Sequence, residues 1–257
     1  MISTLKNDRK KEILSQLLKD GLVTVEQLAG RFETSTATIR RELIDLEGAG
    51  LLRRTHGGAI QVEPMLYEPF RRLSSFAAQT QVQAAEKRRI GLAAAGMIKD
   101  GEIIAFSAGT TTTQVGRSIH GRKGVTIVTN AINIAMELSH RLDLKIIMTG
   151  GSLNKNCFAL SGYSGIDSIN EMFYDQAFIS VDGIHSECGL TSDSPELGAV
   201  NRAMIQQSRK TVVVADHSKF GKVCKMLIAP VAQVDLIVTD RSAPQNLSGV
   251  SVKIFRV

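Results

Sequence analysis

The sequence lacks several features that mark secreted, metal-binding and membrane proteins. Its three cysteines, Cys157, Cys188 and Cys224, are far apart and form no C-x-x-C pair. This spacing argues against a disulfide framework or a zinc site and favours free thiols in a reducing compartment. No apolar run approaches the roughly 18 residues of a membrane span, and Lys6–Glu12 is densely charged where a signal peptide would be apolar. We therefore expect a soluble cytoplasmic protein that needs no metal, cofactor or membrane.

The net charge of +6 is spread along the chain. Residues 1–60 hold 10 Lys and Arg against 8 Asp and Glu, residues 61–90 hold 5 against 3, and the remainder hold 16 against 14. A positive balance favours an anionic partner, but this even distribution makes the whole-chain charge weak support for nucleic-acid binding. The 257 residues, 43% of them hydrophobic, suffice for one small and one medium domain, each with a core.

The segment Leu22–Ala59 has the pattern of two helices and a hairpin. Thr24 followed by Gln27 has the spacing of a capping box, and Ser35 is a second N-cap candidate. The apolar residues at helical spacing are Val25, Leu28 and Phe32 in the first helix and Ile39, Leu43 and Leu46 in the second. The second helix therefore has an inner face committed to a core and a polar outer face.

That outer face and the following hairpin carry the side chains that contact DNA in helix-turn-helix proteins. Short hydroxyls and guanidinium groups on a helix read base edges, and cations on a hairpin wing hold phosphates. The candidate DNA-binding residues are Thr36, Thr38, Arg40 and Arg41 on the helix and Arg53, Arg54 and His56 on the wing. Helix pairs without DNA binding are common in helical bundles, but the combination with a basic glycine hairpin favours a DNA reader. We call residues 22–59 the reader.

Two stretches of the reader, S-T-A-T-I-R-R-E-L and L-L-R-R-T-H-G-G-A, resemble the N-terminal signature of the DeoR/GlpR family of bacterial sugar-metabolism regulators. One residue departs from the family pattern. Glu42 stands where that family usually has Asp, and the exchange keeps the charge. The resemblance implies a winged helix-turn-helix that binds an operator in double-stranded DNA.

The regions around the reader are predicted as follows. Asp8–Lys19 is expected to form a supporting helix, because Ile13, Leu14, Leu17 and Leu18 share one face. Pro64 and Pro69 interrupt regular structure beyond the wing, and Phe76–Met97 is predicted as one long helix. The predicted organisation is a DNA-binding domain at 1–60, a linker at 61–74 and a second domain at 75–257.

Beyond residue 100, short β-branched runs alternate with helix-length segments. The predicted strands are Ile103–Phe106, Val125–Val128, Lys145–Met148, Ala177–Val181, Val212–Ala215 and Leu236–Val238, and the helices between them include Thr112–His120, Ala131–His140 and Pro195–Ser208. Such alternation predicts an α/β domain with a mostly parallel sheet covered by helices.

Ligands of parallel α/β sheets bind beyond the carboxyl ends of the strands, and polar or glycine residues follow most of these runs. S-A-G-T-T-T-T at Ser107–Thr113 combines a glycine, hydroxyls and a helix start, which suits an anion. The candidate ligand-binding residues at strand ends are Ser107, Gly109, Thr110, Thr111, Asn130, Gly150, Gly151, Asp182, Asp216 and Lys219. Because G-x-x-x-x-G-K-[ST] and G-x-G-x-x-G are absent, a sugar phosphate is expected over a nucleoside triphosphate or dinucleotide.

The elements G-T-T, T-N, G-G and D-x-S-K-F-G resemble, in order, the C-terminal sensor half of the same family. The resemblance implies a fold like that of ribose-5-phosphate isomerase and the CoA transferases, and a phosphorylated sugar as effector. Lys87 matches a family position just before the sensor sheet, which makes it a further candidate effector ligand. Ser107-Ala108 departs from the Asp-Ser pair that the family commonly shows, which leaves the sugar preference open.

Three functions compete at this point. The first is a transcriptional repressor of a carbohydrate operon, controlled by a sugar phosphate and assembled as a homodimer or homotetramer, since one reader contacts only a half-site. The second is a sugar-phosphate isomerase with a DNA-binding appendage. Related isomerases have a D-G-A-D turn, and Asp182-Gly183-Ile184-His185 keeps only the first acid, so no enzyme is expected. A nucleic-acid-binding structural protein would leave the polar strand ends unexplained.

Overall fold

A computed structural model describes residues 2–48, 51–60, 75–245, 247 and 251–257. The chain divides into two compact units, Met1–Met65 and Leu66–Val257, called the N-terminal and C-terminal units below. The predicted linker at 61–74 lies outside the described residues, and the predicted domain limits at 60 and 75 therefore stay predictions.

The N-terminal unit is a helix-turn-helix with a small antiparallel sheet. Its elements are α1 (Ile2–Asp20), β1 (Leu22–Thr24), α2 (Val25–Arg31), α3 (Thr36–Gly48), β2 (Arg53–Thr55) and β3 (Gly58–Ile60). The capping box of Thr24 and Gln27 is present, and Ser35 Oγ accepts a hydrogen bond from Thr38 N (3.2 Å), as the sequence predicted. The supporting helix α1 begins earlier than the predicted Asp8.

The sheet of this unit has the order β1-β3-β2, so β3 is the central strand and β2 lies at an edge. Thr55 pairs with Gly58 across a two-residue turn, His56-Gly57. Gly58 is pressed against the backbone of β1. A Cβ atom at Gly58 would overlap the carbonyl oxygen of Val23 and stand 2.8 Å from Thr24 Cα. Only glycine fits at this point of the wing.

The first helical segment of the C-terminal unit differs from the prediction. The predicted single helix Phe76–Met97 is two helices, α4 (Ser75–Gln81) and α5 (Ala84–Ala95). Gln83 between them has a left-handed backbone (φ 52°), which ends the helical hydrogen-bonding pattern. In a continuous helix Gln79 and Lys87 would stand about 12 Å apart along the axis. The break allows Lys87 Nζ to donate a hydrogen bond to Gln79 O (2.7 Å).

The remaining elements alternate as predicted. They are β4 (Ile103–Phe106), α6 (Thr110–Arg117), β5 (Val125–Thr129), α7 (Ile132–Leu138), β6 (Leu144–Met148), β7 (Ser152–Asn154), β8 (Ala159–Ser161), α8 (Tyr163–Asn170), β9 (Gln176–Ile179), β10 (Gly183–His185), β11 (Gly189–Ser192), α9 (Pro195–Gln206), β12 (Thr211–Val214), β13 (Met226–Ala229), β14 (Leu236–Thr239) and β15 (Lys253–Arg256). All six predicted strands form, and their ends agree with the prediction or are shifted by one or two residues. The strand β15, the helix α8 and the short antiparallel pairs were not predicted.

The main sheet has seven strands in the order β15-β14-β12-β9-β4-β5-β6, and each neighbouring pair is parallel. Successive residues of its strands enter two different cores. In β9, Phe178 packs in one core while Ala177 and Ile179 pack in the other. Both faces of the sheet are therefore buried, which explains why its strands read as continuous apolar runs rather than as alternating patterns.

Candidate functional site

The outer face of α3 is open, as the sequence predicted. Thr36, Arg40 and Arg41 are exposed, whereas Ile39 and Leu43 are buried in the core of the N-terminal unit. The candidate Thr38 is half-buried, and its hydroxyl lies 2.9 Å from that of Ser35. Part of its hydrogen-bonding capacity is thus used at the helix start. Thr36, Arg40 and Arg41 are the candidate DNA-binding side chains of α3 that are exposed.

The inner face of α3 also holds a buried charge that sequence reasoning missed. Glu42 is 1% exposed, and its two carboxylate oxygens accept hydrogen bonds from Arg9 Nε (2.9 Å) and Arg9 Nη2. The hydrogen bond to Glu42 raises the pKa of Arg9 above its ordinary value, against the opposing effect of burial. This pair ties α1 to α3. An acid on the otherwise apolar inner face of a helix was the available signal.

The wing separates its two arginines. Arg53 and Arg54 are consecutive in β2 and both exposed, but their surroundings differ. Arg54 Nε donates to Glu47 Oε2 (2.7 Å), and Arg54 N donates to Glu47 Oε1 (2.8 Å). These two bonds lower the pKa of Glu47. Arg53 and the exposed His56 have no ion-pair or hydrogen-bond partner through their side chains within the described part of the chain.

The C-terminal unit collects the predicted ligand residues at one edge, because its parallel strands all end there. The chain passes from β4 to β5 and β6 on one side, and then returns to β9, β12 and β14 on the other. The order of strands thus reverses between β4 and β9. Open parallel sheets bind ligands in the crevice at such a reversal. We call the edge between the ends of β4 and β9, formed by Ser107–Thr111 and Ser180, the crevice.

Close backbone packing shapes this crevice. Ser107 Oγ accepts a hydrogen bond from Ser180 N (2.8 Å), and a Cβ atom on Gly109 would stand 2.5 Å from Ser180 Oγ. The chain then enters α6 at Thr110. The side chains of Thr112 and Thr113 donate to Gly109 O (2.9 and 2.7 Å). In contrast, the hydroxyls of Thr110 (9% exposed) and Thr111 (3% exposed) have no hydrogen-bond partner among the described residues, and they lie at the helix N-terminus.

Asn130 and the pair Gly150-Gly151, also candidate ligand residues, have structural roles at the same edge of the sheet. Asn130 is buried, and its Oδ1 accepts from Ala108 N while its Nδ2 donates to Leu160 O (both 2.9 Å). Both ends of its amide are therefore used to fix the loop after β4. Gly151 has a positive φ of 114°, and a Cβ atom there would stand 2.5 Å from Ser161 O. With its exposed neighbour Gly150, it allows the β7–β8 hairpin to close.

Charged side chains lie beside α5 and after β12. Lys87 is 5% exposed, and burial lowers its pKa; Asp216 raises that pKa and Lys219 lowers it, so the three charges act on one another. Asp216 is buried, and its Oδ1 accepts hydrogen bonds from the backbone and hydroxyl of Ser218. Lys219 is half-exposed. The predicted Lys87, Asp216 and Lys219 are thus brought together.

The neighbouring strand end adds a pair that sequence reasoning missed. Asp240 Oδ1 accepts from His217 N (2.7 Å), and Asp240 Oδ2 lies 2.9 Å from His217 Nδ1. Burial raises the pKa of Asp240, but the hydrogen bonds from His217 and Ser242 outweigh it and lower the pKa. Gln83 Nε2, at the break between α4 and α5, lies 3.5 Å from His217 Nε2.

Asp182 lies after β9, and its carboxylate is bonded to residues at the end of β11. Its Oδ2 accepts hydrogen bonds from Ser192 Oγ and from Asp193 N, both at 3.0 Å. These bonds hold β11 next to the residues that follow β9. A carboxylate used in this way positions a loop and is poorly placed to act as a free base.

Comparison with protein families agrees with both halves of this description. The sequence model of the DeoR-like helix-turn-helix domain matches residues 9–64, and that of the DeoR C terminal sensor domain matches residues 82–241. The chain belongs to the DeoR family. It is a transcriptional regulator of this family, with a DNA-binding helix-turn-helix followed by a sensor domain.

Relatives of this DeoR-family chain align over most of its length. HTH-type transcriptional repressor GlcR of Bacillus subtilis is 35% identical over 91% of this chain and 88% of that protein. Transcriptional repressor AccR of Agrobacterium fabrum is 33% identical over 93% and 92%. Among solved structures, ribose 5-phosphate isomerase A from Methanocaldococcus jannaschii superposes with a TM-score of 0.41 at 16% identity, covering 54% of this chain and 55% of that chain. A score this low supports no conclusion about activity.

The residues that sequence reasoning missed in this DeoR-family chain differ in how visible they were. Asp240 lies two residues after the predicted strand Leu236–Val238. A search for polar residues at strand ends would therefore have found it. His217 lies inside the D-x-S-K-F-G element. Arg9 and Gln83 carried no local signal, since their partners are distant in sequence. Within the described residues, the helices are all too short or too polar to cross a membrane.

Proposed function

We propose that this chain represses a carbohydrate-metabolism operon and that a phosphorylated sugar modulates its binding to the operator. The observation that carries the proposal is the crevice. There the free hydroxyls of Thr110 and Thr111 stand at the N-terminus of α6, where the strand order reverses. Backbone N–H groups and the helix dipole at such a terminus favour a phosphate dianion. No cofactor is needed, and the protein acts in the cytoplasm, where the DNA is.

Lys87 and Lys219 are the proposed counter-charges. Helices α4 and α5 both pack against α6, so Lys87 at the start of α5 lies on the helix layer that carries the phosphate site. A buried ammonium group gains most from an anion, because its present partner, Gln79 O, offers only a partial charge. Gly150 and Asp216 border the same edge and would contact the sugar part.

We propose that the chain has no isomerase activity. Aldose–ketose isomerisation needs a carboxylate base that reaches the carbon acid. In this chain Asp182 accepts two hydrogen bonds from residues at the end of β11, and the second acid of the isomerase turn is replaced by His185. We therefore favour a sensor over an isomerase with a DNA-binding appendage.

The effector proposal is tested by titrating operator binding with sugar phosphates, after a thermal-shift screen identifies one. A ligand at 100 times its Kd should stabilise the chain by ~2.7 kcal/mol. Lys219→Ala should weaken effector binding roughly tenfold or more, because a charge-assisted hydrogen bond is lost, and should leave operator binding without effector unchanged. Thr110→Ala should act in the same direction but more weakly.

The matched control is Lys225→Ala, which removes the same charge from an exposed residue on the same loop. It should respond to effector as wild type does. A dephosphorylated sugar that acts as well as its phosphate, or a Lys219→Ala variant with a normal response, would show that the crevice does not capture phosphate.

The DNA-binding proposal assigns separate roles to α3 and the wing. Arg41→Ala should lose ~1–3 kcal/mol of binding free energy on the cognate site and little on mixed-sequence DNA, because Arg41 reads bases. Arg53→Ala should weaken binding to all duplexes alike. It should also lower the slope of log K against log salt by about one. Operators selected from a random library provide the cognate site, and equal losses of Arg41→Ala on both kinds of DNA would refute the assignment.

The protein is proposed to act as at least a dimer. One α3 helix and one wing contact a single half-site, so recognition of a full operator needs two copies in symmetric contact. Sedimentation at micromolar concentration should give twice or four times the chain mass of 27.8 kDa. A monomer that binds operator tightly would contradict this.

A further inference from the structure

The wing arginines have different neighbours, and this difference has a functional meaning. Side chains of consecutive strand residues point to opposite faces. Arg54 therefore lies on the face of β2 that meets the end of α3, where Glu47 receives it, and Arg53 lies on the other face. The two arginines therefore have different surroundings and can have different roles.

Glu47 is bonded to Arg54 twice. Its Oε2 accepts from the side chain, Arg54 Nε, at 2.7 Å, and its Oε1 accepts from the backbone, Arg54 N, at 2.8 Å. The backbone bond is informative because β2 is the edge strand of its sheet. The N–H of Arg54 would otherwise point outward without a partner in the sheet. A carboxylate on the last turn of α3 thus closes the free edge of the wing.

Resting on the DNA-binding role proposed above for α3 and the wing, we propose that Glu47 and Arg54 are positioning residues that lock the wing to α3, and that Arg53 is the wing arginine that binds DNA phosphate. In this arrangement the backbone N–H and the side chain of Arg54 both bond to Glu47. We call this pair of bonds the strut between β2 and α3. Its own contribution to stability is small, since both side chains are about 40% exposed and exposed ion pairs are weak. Its effect is geometric, because a free wing would have to be ordered each time DNA binds.

The two roles predict opposite outcomes for Glu47→Ala. Loss of an acid near DNA should by itself strengthen binding, because repulsion of phosphate is removed. If Glu47 and Arg54 form a strut, Glu47→Ala should nevertheless weaken binding on the order of fivefold, the cost of ordering the loosened strand. The double variant should show the same loss, since Glu47→Ala alone already removes both bonds. Arg54→Ala keeps the bond from its backbone N–H and should weaken binding by no more than this.

Lysine at residue 54 separates charge from geometry. Arg54→Lys keeps the positive charge but loses the Nε donor that reaches Glu47, so a strut is broken while a phosphate contact would survive. We expect Arg54→Lys to bind as weakly as Arg54→Ala. At residue 53 the expectation is reversed, and Arg53→Lys should bind nearly as wild type while Arg53→Ala does not.

The experiment measures the affinity of the full chain for a mixed-sequence DNA duplex over a range of salt concentrations. We expect salt slopes unchanged for the Glu47 and Arg54 variants and reduced by about 0.9 for Arg53→Ala. Amide exchange at Arg54 should quicken in Glu47→Ala while the core amides of α3 stay protected, which shows that the unit is folded. Tighter binding by Glu47→Ala, wild-type binding by Arg54→Lys, or a slope lowered by about 0.9 in Arg54→Ala would each overturn the proposal.

Discussion

Replacing Gly58 with alanine should abolish DNA binding and leave the sensor domain folded. The added Cβ atom would overlap the Val23 carbonyl oxygen and approach Thr24 Cα at 2.8 Å. Both atoms belong to the backbone of β1, so no side chain can turn away to make room. Overpacking in a core costs ~1–3 kcal/mol when neighbours can shift. The cost here should be at the top of that range or beyond it, because β3 is the central strand.

Gly57→Ala is the matched control. Among the described residues, no atom beyond its chain neighbours lies within 4 Å of its added Cβ. Gly57 is one residue away from Gly58 in the same hairpin. Calorimetry should show that Gly58→Ala lowers only the transition of the N-terminal unit, and duplex binding should be lost. Gly57→Ala should keep both transitions and should bind. Wild-type affinity in Gly58→Ala would mean that β1 moves aside freely.

Replacing Arg9 with methionine should strongly destabilise the N-terminal unit. It would leave the carboxylate of Glu42, which is 1% exposed, without its partner. Removing one member of a buried ion pair costs ~3–5 kcal/mol, because the remaining charge is desolvated and unpaired. Chemical denaturation of the full chain should show a loss of this size in the N-terminal unit, with α3 released from α1.

Two variants make this result interpretable. Arg9→Met combined with Glu42→Met should recover most of the lost stability, since no buried charge remains. Lys10→Met breaks the neighbouring bond of Lys10 to Asp45 (2.6 Å), in which Asp45 is 47% exposed, and should cost less than ~1 kcal/mol. A double variant as unstable as Arg9→Met would show that the arginine stem, and not the charge, supports the unit.

Local chemistry made much of the N-terminal unit predictable. The capping box of Thr24 and Gln27 and the cap at Ser35 are interactions over three residues, so the sequence contains both partners side by side. The apolar spacing of α3 likewise identifies the buried face without knowledge of the fold. The Arg9–Glu42 bond joins residues 33 apart, and no local sequence pattern predicts it.

The break between α4 and α5 shows why the rest was not predictable. Residues 81–83 are Gln-Val-Gln, which contain neither glycine nor proline and would continue a helix by propensity. The left-handed turn at Gln83 goes with contacts to distant residues, such as His217, 134 residues further on. Tertiary contacts overrode the local preference.

The candidate crevice was predicted in composition but not in arrangement. The strand-end rule found Gly109, Thr110 and Thr111, since a parallel sheet brings all its carboxyl ends to one edge. It did not find Ser180, because Ser180 was predicted to lie inside the strand Ala177–Val181, whereas β9 ends at Ile179. That β9 lies beside β4 rather than beyond β6 depends on how the whole sheet assembles.

The hydrogen bond between Ser180 and Ser107 joins residues 73 apart in the chain. This separation affects the order in which the two units can fold during synthesis. Contacts between distant segments form late, since the loop between them must first be closed. Domains fold as units during synthesis, with the N-terminal one first. The reader is therefore fully synthesised before β9, which the crevice needs, has been translated. A chain interrupted before residue 180 would carry the DNA-binding half without the means to sense a ligand.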